Sequence, residues 1–277
     1  MSIIILIATI DAGITKVPEV LLEPQAALKY IVSHQVTAET EREIPAALLR
    51  RVDLVVSQIE GRGLSRNRNN ALSLISPDSA DLVLLADDDV RYRPQYLQAI
   101  REAFAADSQL DLACFKIATP AGQPEYKNYS EEPYLLNRES RHYISSIEIV
   151  FRARPVREQG IIFDERFGLG SEMVSSGEEA VFIFDCIRAG LRVKYIPAYA
   201  VEHAYLSATK TLDAFTAERN IFKGAYDARR YGWRAYPAAL YDLLRLGPQL
   251  RARGKTNLVY LRERLRGARY ILKTNRL

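Results

Sequence analysis

The chain has 277 residues, 48% of them apolar, which suits one large domain or a domain with an appendage. Two cysteines, Cys114 and Cys186, lie in apolar settings, so a disulfide framework is excluded and both are read as reduced core residues of a cytoplasmic protein. The net charge of +4 hides an asymmetry: residues 1–204 hold 22 Lys+Arg and 29 Asp+Glu, a net of −7, whereas residues 205–277 hold 16 and 5, a net of +11.

The first apolar run, residues 3–9, meets Asp11 early and has no basic segment before it. It is too short to span a bilayer and unlike a signal peptide, so it is read as a first core strand. A helix is expected over 18–28, with Pro18 near its start, and a short strand over 28–33. A helix or turn follows over 44–51, a strand over 52–57 and a helix over 64–74. The strand at 82–86 is a continuous apolar run, as a strand covered on both faces should be. Repeated strand–helix units of this length predict a parallel sheet covered by helices, with ligands at the carboxyl ends of its strands.

Further on, a helix is expected over 94–106 and a strand over 110–118. Residues 119–142 are rich in Pro, Glu, Tyr and Asn and read as a long surface loop. A strand is expected over 145–151, a helix within 177–190, and a last strand over 193–196, closed by Pro197. Amphipathic helices are expected over 211–231, 236–246 and 258–272, the last with Arg262, Arg264, Arg266 and Arg269 flanking its apolar stripe.

The buried strand at 82–86 runs into Asp87, Asp88 and Asp89. Three adjacent carboxylates repel one another, and a divalent cation with a preference for oxygen ligands would relieve that. A solvated acidic turn capping the next helix is the plainer reading. Upstream, Gly61-Arg62-Gly63-Leu64-Ser65-Arg66-Asn67-Arg68-Asn69 joins a tight turn to a helix start bearing arginines, a place that receives anions or simply a loop-to-helix junction. Downstream, Phe163-Asp164-Glu165-Arg166-Phe167-Gly168 precedes Ser176-Gly177-Glu178-Glu179. Paired carboxylates at a helix start supply a general base, or Ser176 caps the helix with Glu179 as its reciprocal partner. His203 follows the last strand and by itself reads as a packing residue.

In this order these motifs resemble family 2 glycosyltransferases of the GT-A fold, over roughly residues 1–206. The resemblance implies an α/β architecture: a Rossmann-like mixed sheet flanked by helices, here with a C-terminal helical extension. It implies residues 1–206 as the transferase domain and 207–277 as a basic helical region that meets a membrane surface or a partner. It implies that Asp87, Asp88 and Asp89 form the family's DxD motif, with Asp89, Asp87 and His203 holding Mn²⁺ or Mg²⁺. It implies donor contacts from Ala8, Thr9, Asp11, Arg68, Asn69, Asp87 and Asp88. It implies Glu179 as the general base, with Glu178 as the alternative. One departure concerns the second strand, which ends Val32-Ser33-His34-Gln35 where the family carries an Asp-rich turn that binds the nucleobase.

The expected reaction is inverting, metal-dependent transfer of a hexosyl or N-acetylhexosaminyl group from a nucleotide-diphosphate sugar, a UDP-sugar by expectation. The acceptor would be a hydroxyl of a glycan or lipid-linked molecule in bacterial surface polysaccharide synthesis. Two other readings stand beside it. A sugar-phosphate nucleotidyltransferase would want a Gly-rich loop with a lysine near the first strand, which Asp11-Ala12-Gly13-Ile14-Thr15-Lys16 matches only faintly. A non-catalytic nucleotide-sugar-binding scaffold would bind without turnover. No nucleic-acid recognition motif is present. The basic C-terminal region suits the anionic inner face of the cytoplasmic membrane, bound peripherally.

Overall fold

A computed structural model describes residues 1–38, 42–79, 81–140, 143–205 and 215–274. Its strands are β1 (Ile3–Ile10), β2 (Leu28–Val36), β3 (Leu54–Glu60), β4 (Leu82–Asp87), β5 (Leu112–Ala118), β6 (Tyr134–Leu135), β7 (Ile149–Arg152) and β8 (Val193–Glu202). Its helices are α1 (Val17–Val20), α2 (Ala46–Leu49), α3 (Leu64–Ser73), α4 (Pro94–Ala106), α5 (Ala153–Glu158), α6 (Glu178–Arg188), α7 (Ala217–Tyr231), α8 (Ala235–Ala252) and α9 (Asn257–Lys273).

The chain divides into two compact units. The first comprises residues 1–62, 66–163 and 182–206, and the second residues 63–65, 164–181 and 207–277. The first holds the whole sheet, in the order β3-β2-β1-β4-β7-β5-β8-β6. β3, β2, β1 and β4 are mutually parallel. β7 runs antiparallel between β4 and β5, β5 and β8 are parallel, and β6 closes the edge antiparallel to β8.

The continuous apolar runs explain the layering. On β1, Ile3, Ile5 and Ile7 enter one core with Leu84, Ile100, Phe104 and Phe115, while Ile4 and Leu6 enter a second core with Ala71, Val83, Phe163 and Phe182. Alternate residues therefore fill opposite faces, as a doubly covered strand requires. In the second unit α7 and α9 cross with almost no gap. A Cβ added at Gly224 would lie 1.9 Å from the Arg264 carbonyl oxygen, and one at Gly267 would lie 1.9 Å from that of Ile221.

Three expectations are corrected. The helix expected over 18–28 stops after the four residues of α1, and Leu21 is already extended. Pro24 disfavours helical geometry at Glu23, and the Leu22 N–H instead donates to the Tyr30 hydroxyl at 3.0 Å. The last strand does not close at Pro197 but runs to Glu202. Its register against β5 slips between Cys114 and Lys116, where Tyr195 and Tyr199 are the respective partners, so Pro197 lies in an irregular stretch that needs no ladder donor from it. The strand expected over 145–151 opens as a 3-10 turn, Ser146–Glu148, before β7. The short helix α5 is not among the elements that the sequence predicts. The start of the helix expected over 211–231 lies partly outside the described residues.

Candidate active site

β1 and β4 are neighbours in parallel register, with Ala8 opposite Asp87. The acidic triplet therefore leaves the sheet beside the Thr9–Asp11 segment, and the two strand ends build the site together. Thr9 is buried and its hydroxyl lies 2.5 Å from Asp88 Oδ2. Burial, with Asp89 and Asp87 close by, holds the Asp88 carboxyl above the usual carboxylate range against the lowering effect of Thr9. Gly13 passes directly over this carboxylate: a Cβ there would sit 2.3 Å from Asp88 Oδ2 and 2.6 Å from Thr9 Oγ1. Asp88 is thus turned into the protein rather than away from it.

Asp87 is half-exposed and accepts from Arg68 Nη2 at 3.1 Å. Arg68 is 2% exposed, and the same Nη2 donates to Ser146 Oγ at 2.8 Å. Its guanidinium also lies 5.6 Å from the centre of the Phe163 ring. Asn69 acts differently. Its amide donates to the Phe163 carbonyl at 2.9 Å and accepts from the Phe163 N–H at 2.8 Å. Asn67, which no sequence motif singles out, is buried and donates to the Thr9 carbonyl at 3.0 Å, tying α3 to the end of β1.

Asp11 is the one non-glycine residue with positive φ among those described, at +48°. Its carboxylate accepts from the Thr37 N–H and hydroxyl, both at 2.8 Å, and the Thr37 N–H chiefly holds its carboxyl below the usual range. The Asp11 carbonyl lies 2.9 Å from His34 Nε2, and Gln58 Nε2 lies 3.1 Å from His34 Nδ1. An amide NH₂ only donates and a carbonyl only accepts, so His34 is the Nε2–H tautomer. His34 therefore supports the strained Asp11 backbone from beneath.

His203 and Asp89 meet with Nε2 and Oδ2 at 3.4 Å. His203 Nδ1 lies 2.7 Å from the Ala204 carbonyl and must carry a proton to donate there. In the neutral ring Nε2 then offers a lone pair to a carboxylate. Two acceptors face each other unless a proton or a cation lies between them. The hydrogen bond to Asp89 raises the His203 pKa, and the same bond lowers that of Asp89. Tyr126 packs edge-on against the imidazole, with ring centres 5.7 Å apart. Among the described residues no group of three His, Cys, Asp or Glu side chains converges as a metal cluster. The Asp89–His203 pair nevertheless fits part of the ligand set of a cation that completes its shell with substrate oxygens and water.

Glu178 and Glu179 belong to the second unit. Helix α6 begins at Glu178, and the Gly177 carbonyl accepts from the Val181 N–H at 3.1 Å. Gly177 (φ +84°), not Ser176, thus occupies the cap position expected of the serine. A side chain at Gly177 would strike the Phe222 ring at 1.9 Å. Glu178 is buried against Gly168, whereas Glu179 is half-buried. Asp164 and Arg166 of the same motif form an ion pair at 2.5 Å, and Arg229 joins it at 3.1 Å. Arg166 also reaches the carbonyls of Ile271 and Thr274 at the end of α9. That part of the motif holds the second unit together.

No protein-family model and no curated protein matches the sequence. Solved structures do. The crystal structure of S. aureus TarS residues 1–349 is 16% identical, with 99% of this chain and 91% of that one covered and a TM-score of 0.57. The same protein in complex with UDP-GlcNAc is 17% identical, with 83% and 66% covered and a TM-score of 0.59. Its complex with UDP is 15% identical, with 99% and 91% covered and a TM-score of 0.57. The fold is GT-A. With identities this low the likeness carries the architecture, and it bears out the mixed sheet flanked by helices that the motif order implies. Thr9, Asp11, Asp87, Asp88 and Asp89 stand at or just beyond the carboxyl ends of the parallel strands β1 and β4, the edge at which open α/β sheets bind ligands.

Proposed function

We propose that this protein transfers a hexosyl or N-acetylhexosaminyl group from a nucleotide-diphosphate sugar, a UDP-sugar, to a hydroxyl of a glycan or lipid-linked acceptor, with inversion. The observation that carries the reading is the carboxylate–imidazole pair, Asp89 and His203, at the carboxyl end of parallel strands in a GT-A fold. The TarS structures with UDP and UDP-GlcNAc support a nucleotide-sugar donor.

Asp89 and His203, with Asp87, would hold Mn²⁺ or Mg²⁺, and the cation when bound would offset charge gathering on the departing diphosphate. Arg68 keeps Asp87 oriented from a buried position, so its charge is fixed before donor arrives. Ala8, Thr9 and Asp11 present the first strand end to the nucleoside. Asn69 acts through Phe163 and positions rather than contacts donor. Glu179, the more accessible of the helix-start pair, takes the proton from the acceptor hydroxyl, which attacks the anomeric carbon opposite the leaving diphosphate. An anionic membrane surface is the proposed partner of residues 207–277.

The test separates the two carboxylates. Asp89→Ala should abolish the Mn²⁺ dependence of UDP binding in calorimetry. Glu179→Gln should keep UDP binding and lose transfer or donor hydrolysis by about 10²- to 10⁴-fold. If both variants left turnover of UDP-sugars unchanged, the assignment would be wrong. Release of pyrophosphate from a nucleoside triphosphate and a sugar 1-phosphate would point instead to nucleotidyl transfer.

A further inference from the structure

Helix α8 leaves a row of large apolar side chains uncovered. The residues it buries are mostly small or polar: Ala235, Ala239, Asp242 and Gly247, with Leu250 at its end. Several of its large side chains nevertheless face solvent, while Leu243 and Leu246 pack half-buried against Leu250, Phe215 and Tyr260. Leu240 is 52% exposed, Tyr241 66% and Leu244 75%, and Tyr236 and the preceding Trp233 are exposed as well. Spacings of four residues put Tyr236, Leu240 and Leu244 along one side of the helix, with Tyr241 beside them, and Trp233 lies in the 3-10 turn just before its start. A surface helix ordinarily shows the opposite pattern, and a continuous apolar stripe of this length signals a partner.

Charge says what kind. Between residues 232 and 255 the basic side chains are Arg234, Arg245, Arg251, Arg253 and Lys255, all exposed. The one acid in that span, Asp242, is buried between Lys223 of α7 and Arg264 of α9, with Arg264 Nη1 at 2.8 Å. The stripe therefore has a cationic rim and no exposed carboxylate. A second copy fits it poorly, because a two-fold contact would bring arginine-rich rims together. Tryptophan and tyrosine with arginine are the side chains that settle at the boundary between lipid headgroups and acyl chains. No described helix is long and apolar enough to cross a membrane, so α8 would lie on the surface rather than span it.

We propose that the Tyr236–Leu244 face of α8, with Trp233 just before it, docks on an anionic phospholipid bilayer. This deepens the membrane partnership proposed above by naming its surface, and it stands on the second unit alone. Its failure would leave the sugar-transfer reading untouched.

The protein carries its own reporter, since Trp233 is its one tryptophan. Adding phosphatidylglycerol–phosphatidylcholine vesicles to the full chain at low salt should shift Trp233 emission to the blue and protect it from acrylamide. Phosphatidylcholine vesicles should do neither, and raising the salt should reverse the effect. Leu240→Glu with Leu244→Glu, checked for retained helix by circular dichroism, should weaken partitioning at least about tenfold. Leu240→Ser with Leu244→Ser is the gentler pair if the glutamates disturb folding. An unchanged Trp233 spectrum with anionic vesicles at low salt overturns the proposal. So does equal vesicle binding by the folded variants. Protection that appears without lipid and grows with protein concentration also overturns it, by assigning the face to a second copy.

Discussion

Gly13 is a residue whose role depends on what it lacks. The backbone there passes so close to the Asp88 carboxylate and the Thr9 hydroxyl that a methyl group would force one of them to move. Gly13→Ala is therefore expected to displace Asp88 and weaken UDP binding about tenfold, read by calorimetry beside an unchanged unfolding midpoint; a variant with wild-type affinity would show that the Thr9–Asp88 contact is not needed. Arg264 teaches a related point. In the sequence it is one of several arginines beside an apolar stripe, and arginines there ordinarily stay in water. It is instead fully buried, paired with Asp227 at 2.6 Å and Asp242 at 2.8 Å, with the Tyr260 hydroxyl at 2.8 Å. Arg264→Ala would strand two carboxylates with Lys223 as their nearest cation, at a cost of about 3 kcal/mol in urea unfolding. At this scale the site is partly legible. Asp87, Asp88 and Asp89 stand out because they end an apolar run, whereas His203 by itself reads as a packing residue and gains a role only from the order of motifs. Asn67 and Gly13 do not, because their value lies in backbone groups that only the fold brings near.

The elements show where periodicity suffices and where it fails. Helix α4 has the bounds that its Pro94 start and apolar spacing predict, because its pattern and its N-terminal proline agree. The continuous apolar strands β1 and β4 are equally plain. Strand β8 reads as ending at Pro197 because a proline signals a stop, whereas a shift in ladder register carries the strand through it. Helix α8 reads as amphipathic, but the sequence does not say which face turns inward; the close α7–α9 crossing and the Asp242 ion pairs decide that. The Asp164 cluster ties the loop after α5 to α7 and the end of α9. Burial alone would raise the Asp164 carboxyl, but the hydrogen bonds and charge of Arg166, with a hydrogen bond from Arg229, leave it below the usual range. A depressed carboxylate stabilises the fold above its unfolded pKa and loses that contribution as pH falls through its folded value. Asp164→Asn should thus lower the midpoint of thermal unfolding at neutral pH, and the gap from wild type should close as the solution is acidified below the ordinary carboxylate range. A pH-independent gap would mean that the cluster acts by packing rather than charge.

At the scale of the molecule, the alternation of strands and helices and the order of motifs are enough to imply the architecture, which the likeness to TarS bears out. The second unit is less legible. Residues 63–65 and 164–181 join the C-terminal helices there, although nothing in their composition separates them from their neighbours. Sequence nearness and spatial nearness part company wherever a glycine-rich segment such as 168–177 changes direction.

The placement of β7 between β4 and β5 also constrains the order of assembly. β1 to β4 find their parallel partners among strands already made by residue 87. Among the described strands β5 pairs with β7 and β8, both later in the chain. As the chain leaves the ribosome, β5 must therefore wait some time as an unpaired apolar segment, until residues 149–152 arrive to bridge it to the finished half-sheet. Domains fold largely as their parts are synthesised, so that interval is when this chain most needs a chaperone. The helix α4, complete just before β5 emerges, packs most closely on β8 and so waits for that late strand as well.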